Sequence, residues 1–264
     1  MDATVGAGGH AEALLERGPG TRLLGLDRDP EALGLARERL RRFGPRVELR
    51  HENFADLDRV LEGFAPPDGI LADLGVSSMQ LEDASRGFSF RREGPLDMRM
   101  GQDGRSAAAI VATASAEELT RILREYGEER MAAKIARGIV AERSRGPLTT
   151  TRQLARVVAR IKGVRESIDP ATRVFQALRI EVNQELFALS RFLAAAANRL
   201  NARGRLAVIS YHSLEDRIVK DALREGAKQG WYRLLTKKPV MAGEDEIDRN
   251  PRSRSAKMRA AEKV

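Results

Sequence analysis

The stretch DATVGAGGH, Asp2 to His10, sets Ala3 to Val5, a short apolar segment, directly before Gly6, Gly8 and Gly9, with a helical pattern starting at about His10. Strand, glycine turn, helix is the arrangement in which backbone amides approach a ligand at a helix N-terminus, because glycines accept positive φ and leave room for close contact. Working outward, RLLGLD (Arg22 to Asp27) reads as a buried strand. Pro30 then opens a helix at the one turn where a missing N–H costs nothing, with Asp29 as its cap. VELRHE (Val47 to Glu52) is a third strand, Asp56 to Glu62 a short helix and GILADLG (Gly69 to Gly75) a fourth strand. This alternation predicts an α/β fold: a doubly wound, mostly parallel sheet with helices on both faces.

The next strand, RLAVIS (Arg205 to Ser210), lies far beyond one helical crossover. Helices predicted over Ser115 to Tyr126, with Ser115 and Glu118 as a capping box, Glu128 to Arg143 and Thr151 to Ile161 fill the gap. Residues 101–171 are therefore expected to form an inserted all-helical domain, and residues 1–100 and 172–264 the sheet domain. Asp169 and Pro170 are expected to start one long helix running to about Leu200.

Asp27 ends the second strand, where its carboxylate can accept two ribose hydroxyls. Gly6, Gly8 and Ala11 also satisfy G-x-G-x-x-A, so a dinucleotide is one candidate ligand. A sulfonium nucleoside is the other, favoured because Gly9-His10 crowds the turn a pyrophosphate would need and no hydride-transfer site follows. Asp73 ends the fourth strand, and ligands of such sheets bind outside the carboxyl ends of strands at the point where strand order reverses. Asp73 is thus expected to face the same crevice as Gly8 and Asp27.

Composition narrows the partners. Net charge is +8, and Cys is absent, which removes disulfides and thiolate chemistry. No apolar run of about eighteen residues or basic-then-apolar leader is visible, so no membrane partner and a cytoplasmic location are expected. Arg249, Arg252, Arg254, Lys257, Arg259 and Lys263 crowd the C-terminal stretch with only Glu262 opposing them. Such a cationic end suits a polyphosphate, or serves as a solubilising tail. Arg121, Arg124, Arg130, Arg137, Arg152, Arg156 and Arg160 give the insert a second basic surface, though glutamates are interspersed. No metal constellation stands out; the acids Glu82, Asp83, Glu93 and Asp97 sit among arginines.

DATVGAGGH, GLDRDP (Gly25 to Pro30), ADLGVSSMQLEDASRGFSF (Ala72 to Phe90), PLDMRMG (Pro95 to Gly101), VFQALRIEVNQEL (Val174 to Leu186), SYHSLEDRIVK (Ser210 to Lys220) and NPRSRSAKMRAAE (Asn250 to Glu262) together resemble the ribosomal RNA small subunit methyltransferase H family. The resemblance implies a class I, Rossmann-like methyltransferase sheet, S-adenosyl-L-methionine as cofactor, and methylation of the exocyclic N4 of a cytosine in the decoding region of 16S ribosomal RNA. It implies cofactor contacts at Gly8, Gly9, His10, Asp27, Phe54, Asp73 and Gln80. Phe54 could stack on adenine or pack in the core; Gln80 reads from sequence alone as a surface loop residue. Members of the family carry a further segment ahead of the equivalent of Asp2, so the first strand is expected to be short and one wall of the cofactor site incomplete.

For the chemistry, Asp73 or a carbonyl just after it is the candidate acceptor of an N4 proton. Ser77 and Ser78 are candidates to hold the loop or the cytosine edge, and His212 to touch the target nucleotide or satisfy a backbone group. Ser213 is expected to cap the following helix. The familiar D/N-P-P-Y/F run of amino-methyltransferases is replaced here by Asp73-Leu-Gly-Val-Ser-Ser78. Partners expected are 16S ribosomal RNA in the small ribosomal subunit, with the insert able to support a homodimer. The competing reading is a non-catalytic RNA-binding assembly factor that retains the pocket.

Overall fold

A computed structural model describes residues 1–101, 103–163 and 169–264. Strands β1 (Leu23–Asp27), β2 (Val47–His51), β3 (Gly69–Asp73), β4 (Arg205–Ser210), β5 (Tyr232–Leu234), β6 (Val240–Met241) and β7 (Lys257–Lys263) alternate with helices. These are α1 (Gly9–Arg17), α2 (Pro30–Leu40), α3 (Leu57–Val60), α4 (Ser78–Glu82), α5 (Ala107–Thr113), α6 (Ala116–Glu125), α7 (Ala132–Arg143), α8 (Thr151–Lys162), α9 (Thr172–Asn183), α10 (Glu185–Arg199), α11 (Ser213–Lys228) and α12 (Glu244–Arg249). The chain divides into two compact units, Met1–Gly75 with Leu186–Val264, and Val76–Glu185.

In the first unit β1 pairs β2 in parallel, β3 pairs β4 in parallel, and β7 runs antiparallel between β4 and β5 while also pairing β6. The segment Met1 to Val5 joins the two halves. Asp2 bridges Gly25 on one side and Leu71 on the other, both parallel. Ala3 N–H donates to Leu71 O at 2.7 Å and Val5 N–H to Leu26 O at 2.7 Å. The expected first strand is thus short but hydrogen-bonded on both flanks. Strand order reverses between this segment and β3, which puts the ligand-binding edge at Gly6 to Gly8 and at Asp73.

Successive residues of a strand point to opposite faces, and the core follows. Leu23 and Val5 pack with Leu15, Leu33, Ala36 and Leu40 of α1 and α2. Ala3, Leu24, Ile70 and Val208 pack with Leu57, Phe192, Ala196 and Leu223 of α3, α10 and α11. Packing around Gly25 is tight: a Cβ there would lie 2.7 Å from a Leu49 methyl and 3.1 Å from one of Val5, so those side chains would have to shift. The Asp29 carboxylate accepts from Glu31 N–H at 3.0 Å with Pro30 at the first turn, as the sequence predicted.

The second unit is wider than the 101–171 expected. Phe88, Leu96, Met98 and Met100 enter its core from the loop before α5, and Val174, Phe175 and Leu178 enter from α9. Neither segment can leave without exposing that core. Buried Asn183 ties them together, accepting from Met100 N–H at 2.8 Å and donating to Met98 O at 2.7 Å. The single long helix expected up to Leu200 is two helices: Gln184 adopts a left-handed φ of 50° and separates α9 from α10. α7 starts at Ala132, later than the Glu128 expected, because Glu128 has φ 47°.

The C-terminal stretch is no tail. Residues 257–263 are the strand β7 inside the sheet, and Arg259 is 8% exposed. Its guanidinium grips Asp216 of α11 through Nε at 2.7 Å and a terminal nitrogen at 3.1 Å. Lys257 is half-buried with Nζ 3.9 Å from the same carboxylate. Arg249, Arg252 and Arg254 are exposed. Of the cationic residues proposed for RNA, Arg259 therefore holds the sheet to a helix, whereas the three arginines ahead of β7 face solvent. Among the described residues, no helix is long and apolar enough to cross a membrane.

Candidate active site

Gly6 and Gly8 have φ of 51° and 85°, which any Cβ would strain, and Gly8 is the N-cap of α1 with no capping side chain. A Cβ on Gly8 would also sit 3.3 Å from the Leu40 side chain. Gly6 N–H donates to Asp27 Oδ2 at 2.8 Å, and Asp29 N–H to Oδ1 at 2.9 Å. The carboxylate is thereby pinned at the end of β1. Burial raises its pKa above the usual carboxylate range, with these amides opposing the shift.

Asp73 gathers three neighbours at the end of β3. Its N–H donates to Thr4 Oγ1 at 2.7 Å, fixing the backbone. Tyr211 donates its hydroxyl to Oδ1 at 2.9 Å, and His10 Nε2 lies 3.2 Å from Oδ2. The hydrogen bond to Asp73 holds the His10 imidazole above its ordinary 6.5, against partial burial. His10 is half exposed, so this is a local contact of the site and no measure of stability.

Asp2, in the segment between β1 and β3, carries a buried carboxylate that the sequence does not single out. It is 1% exposed; Thr4 N–H donates to Oδ1 at 3.2 Å, and Oδ2 has no hydrogen-bond partner. Burial pushes its pKa up to about 6. The folded state then binds a proton that the unfolded chain has released above 3.8, so stability falls as pH rises from 3.8 to about 6. The cost at neutral pH is on the order of 3 kcal/mol. Asp2→Asn is accordingly expected to raise the melting temperature at pH 7.5 by roughly 5 °C, the gain shrinking toward pH 4. Melting curves at the two pH values check this; an equal gain at both, or a loss at pH 7.5, refutes it.

Phe54, just after β2, is partly buried and meets Phe192 edge-on at 5.3 Å between centroids, so one side of its ring is core packing. His212 is the N-cap of α11, one residue before the Ser213 expected. Its Nδ1 accepts from Glu215 N–H at 3.4 Å, while Glu215 Oε2 accepts from Tyr211 N–H at 2.9 Å. His212 Nε2 lies 3.1 Å from Glu215 Oε1 without hydrogen-bond geometry. The imidazole thus satisfies a backbone group, one of the two roles read for it.

Ser77, Ser78 and Gln80 belong to the second unit. Ser77 Oγ accepts from Gln80 N–H at 3.2 Å and Gln80 Oε1 from Ser77 N–H at 3.0 Å, a capping box at the start of α4. Gln80 is 5% exposed, against the surface position expected, because this reciprocal cap folds it inward. Ser78 is exposed. In the same unit the loop acids are partnered: Asp97 with Arg99 at 2.8 Å, Glu93 with Arg152 at 3.4 Å, and Asp83 with Ser85 at 2.8 Å.

A mostly parallel sheet whose order reverses beside a glycine loop, with Asp27 and Asp73 ending the two strands that flank the segment leading into that loop, is the class I methyltransferase fold. The MraW methylase family model matches residues 1–264. Similar curated proteins include three each called "Ribosomal RNA small subunit methyltransferase H". That of Trichlorobacter lovleyi is 52% identical over 100% of this chain and 91% of its own. Those of Sorangium cellulosum and Cyanothece sp. are 52% and 53% identical, over 100% of this chain and 84% and 87% of theirs. The chain belongs to the MraW methylase family. It is a methyltransferase with S-adenosylmethionine as cofactor. The residues present fit that group: Asp27 offers acceptors to ribose hydroxyls, the Gly6–Gly8 turn admits close approach, and the orphaned Asp2 Oδ2 seeks a donor.

Proposed function

We propose that this chain methylates the exocyclic N4 of a cytosine in the decoding region of 16S ribosomal RNA, acting in the cytoplasm on the small ribosomal subunit. The observation that carries the chemistry is the Asp73 carboxylate, anchored at the sheet edge beside the glycine loop and partly open to solvent. S-adenosylmethionine supplies an electrophilic methyl group. The N4 lone pair is delocalised into the cytosine ring, so the chain has to orient the amine and accept its proton. As the new N–C bond forms and the methyl–sulfur bond breaks, leaving S-adenosylhomocysteine, Asp73 would take the N–H proton. Gly8, Gly9, His10, Asp27 and Phe54 line the cofactor's place, and resemblance to the family alone adds Gln80; Ser77 holds its loop through the α4 cap, and exposed Ser78 is the candidate for the cytosine edge.

RNA recognition falls to exposed arginines. In the second unit, Arg124, Arg130, Arg137 and Arg156 are exposed and lack an ion-pair partner among the described residues. Arg124 and Arg137 line a groove of about 410 Å³ between α6 and α7. Arg121, Arg152 and Arg160 are engaged by Glu125, Glu93 and Glu142. In the first unit, Arg249, Arg252 and Arg254 are the accessible set. Phosphate contacts of this kind position an RNA without reading its sequence.

Offering labelled cofactor with small subunits, large subunits and cytosine-containing DNA tests the substrate class. Label is expected only in 16S RNA, and replacing Arg249, Arg252 and Arg254 with Ala should lower the salt slope of binding by up to about 3. Equal labelling of DNA would refute the reading.

A further inference from the structure

β3 and β4 run parallel with Asp73 opposite Ile209, so Tyr211, two residues on, leaves the sheet at the same edge as Asp73. The turn carrying it is fixed from behind. Glu215, 2% exposed in the first turn of α11, accepts the Tyr211 N–H at 2.9 Å and the His212 N–H at 3.4 Å. The phenol therefore reaches Asp73 from a backbone held by hydrogen bonds to Glu215, and its hydroxyl donates to Oδ1 at 2.9 Å.

A carboxylate's second side-chain torsion is broad, and without a second anchor its plane rotates freely about the Cβ–Cγ bond. Thr4 fixes only the Asp73 backbone, and His10 approaches from a half-exposed helix start. Tyr211 is the partly buried, neutral donor on the other oxygen. Burial and the neighbouring carboxylate push its pKa well up, so it stays a donor over the working pH range.

We propose that Tyr211 is a positioning residue for methyl transfer: its hydroxyl fixes the plane of the Asp73 carboxylate so that an oxygen lone pair meets the substrate N–H. This rests on the reading of Asp73 as proton acceptor. Displacing a reacting group by about 1 Å costs about 100-fold in rate, and one lost hydrogen bond to a charge costs tenfold or more. Tyr211→Phe keeps the ring and its packing and removes only the donor.

The test is steady-state kinetics of Tyr211→Phe and Asp73→Ala on small subunits, well below the melting temperature, with S-adenosylhomocysteine affinity measured by calorimetry. For Tyr211→Phe, kcat is expected to fall between about 10- and 100-fold, with KM and the dissociation constant within about twofold of wild type. A residue of purely structural role would lower the melting temperature and leave kcat per folded molecule intact. Unchanged kcat in Tyr211→Phe, or a loss confined to KM, overturns the proposal if Asp73→Ala is inactive. Near-normal turnover by Asp73→Ala removes the acceptor reading itself, and this inference with it.

Discussion

Asp73→Ala should lower kcat on small ribosomal subunits by about 100- to 10,000-fold, the range a positioned proton acceptor contributes. Two separate elements hold the carboxylate, the start of α1 through His10 and the turn after β4 through Tyr211, while the Met1–Val5 segment holds the Asp73 backbone through Thr4. The exposed part of the side chain, about a quarter of it, is what a substrate amine can reach. Loss of the side chain leaves the Asp73 N–H bond to Thr4 intact, so β3 should keep its place. Steady-state kinetics with a melting curve on the same sample separates catalysis from folding. Turnover within threefold of wild type would remove Asp73 from the mechanism.

Asp27→Ala should weaken S-adenosylhomocysteine binding by about 100- to 1,000-fold, or roughly 3–4 kcal/mol. Two effects add. The ribose loses its acceptors, and the Gly6 and Asp29 amides lose the carboxylate that holds the glycine turn against β1. Gly6 sits at φ 51° within that turn, so releasing its N–H lets the loop relax away from the ligand. Calorimetric titration reads the loss directly. An affinity within fivefold of wild type would mean that Asp27 only braces the loop and does not touch the ligand.

How far the sequence could be read depended on whether a residue's partner was local. RLAVIS, GILAD and the Asp29-Pro30 helix start carry their signal within a few residues, and the structure places them as read. Asp27 and Asp73 were legible as strand ends because a parallel sheet gathers those ends at one edge. β7 was not legible: KMRAAEK buries Arg259 by pairing it with Asp216, far away in sequence, so its alternation reads as charge. The Gln184 break carried no glycine or proline to announce it. His212 displaced Ser213 as cap because its imidazole nitrogen can accept where the stronger hydroxyl signal pointed one residue later. The Ser77–Gln80 spacing is that of a capping box and could have been read as one. Asp2, Thr4 and Tyr211 could not be read as site residues, since each acts on a carboxylate or strand it meets only after folding.

The atom that receives the methyl group is the property that decides what this enzyme does. Small subunits from cells lacking the modification, incubated with the protein and isotopically labelled S-adenosylmethionine, can be digested and their nucleosides resolved by mass spectrometry. The label is expected in N4-methylcytidine from a single decoding-region fragment of 16S RNA, and absent with Asp73→Ala. Label in a ring-carbon or ribose-methylated nucleoside, or in another ribosomal RNA, would contradict it.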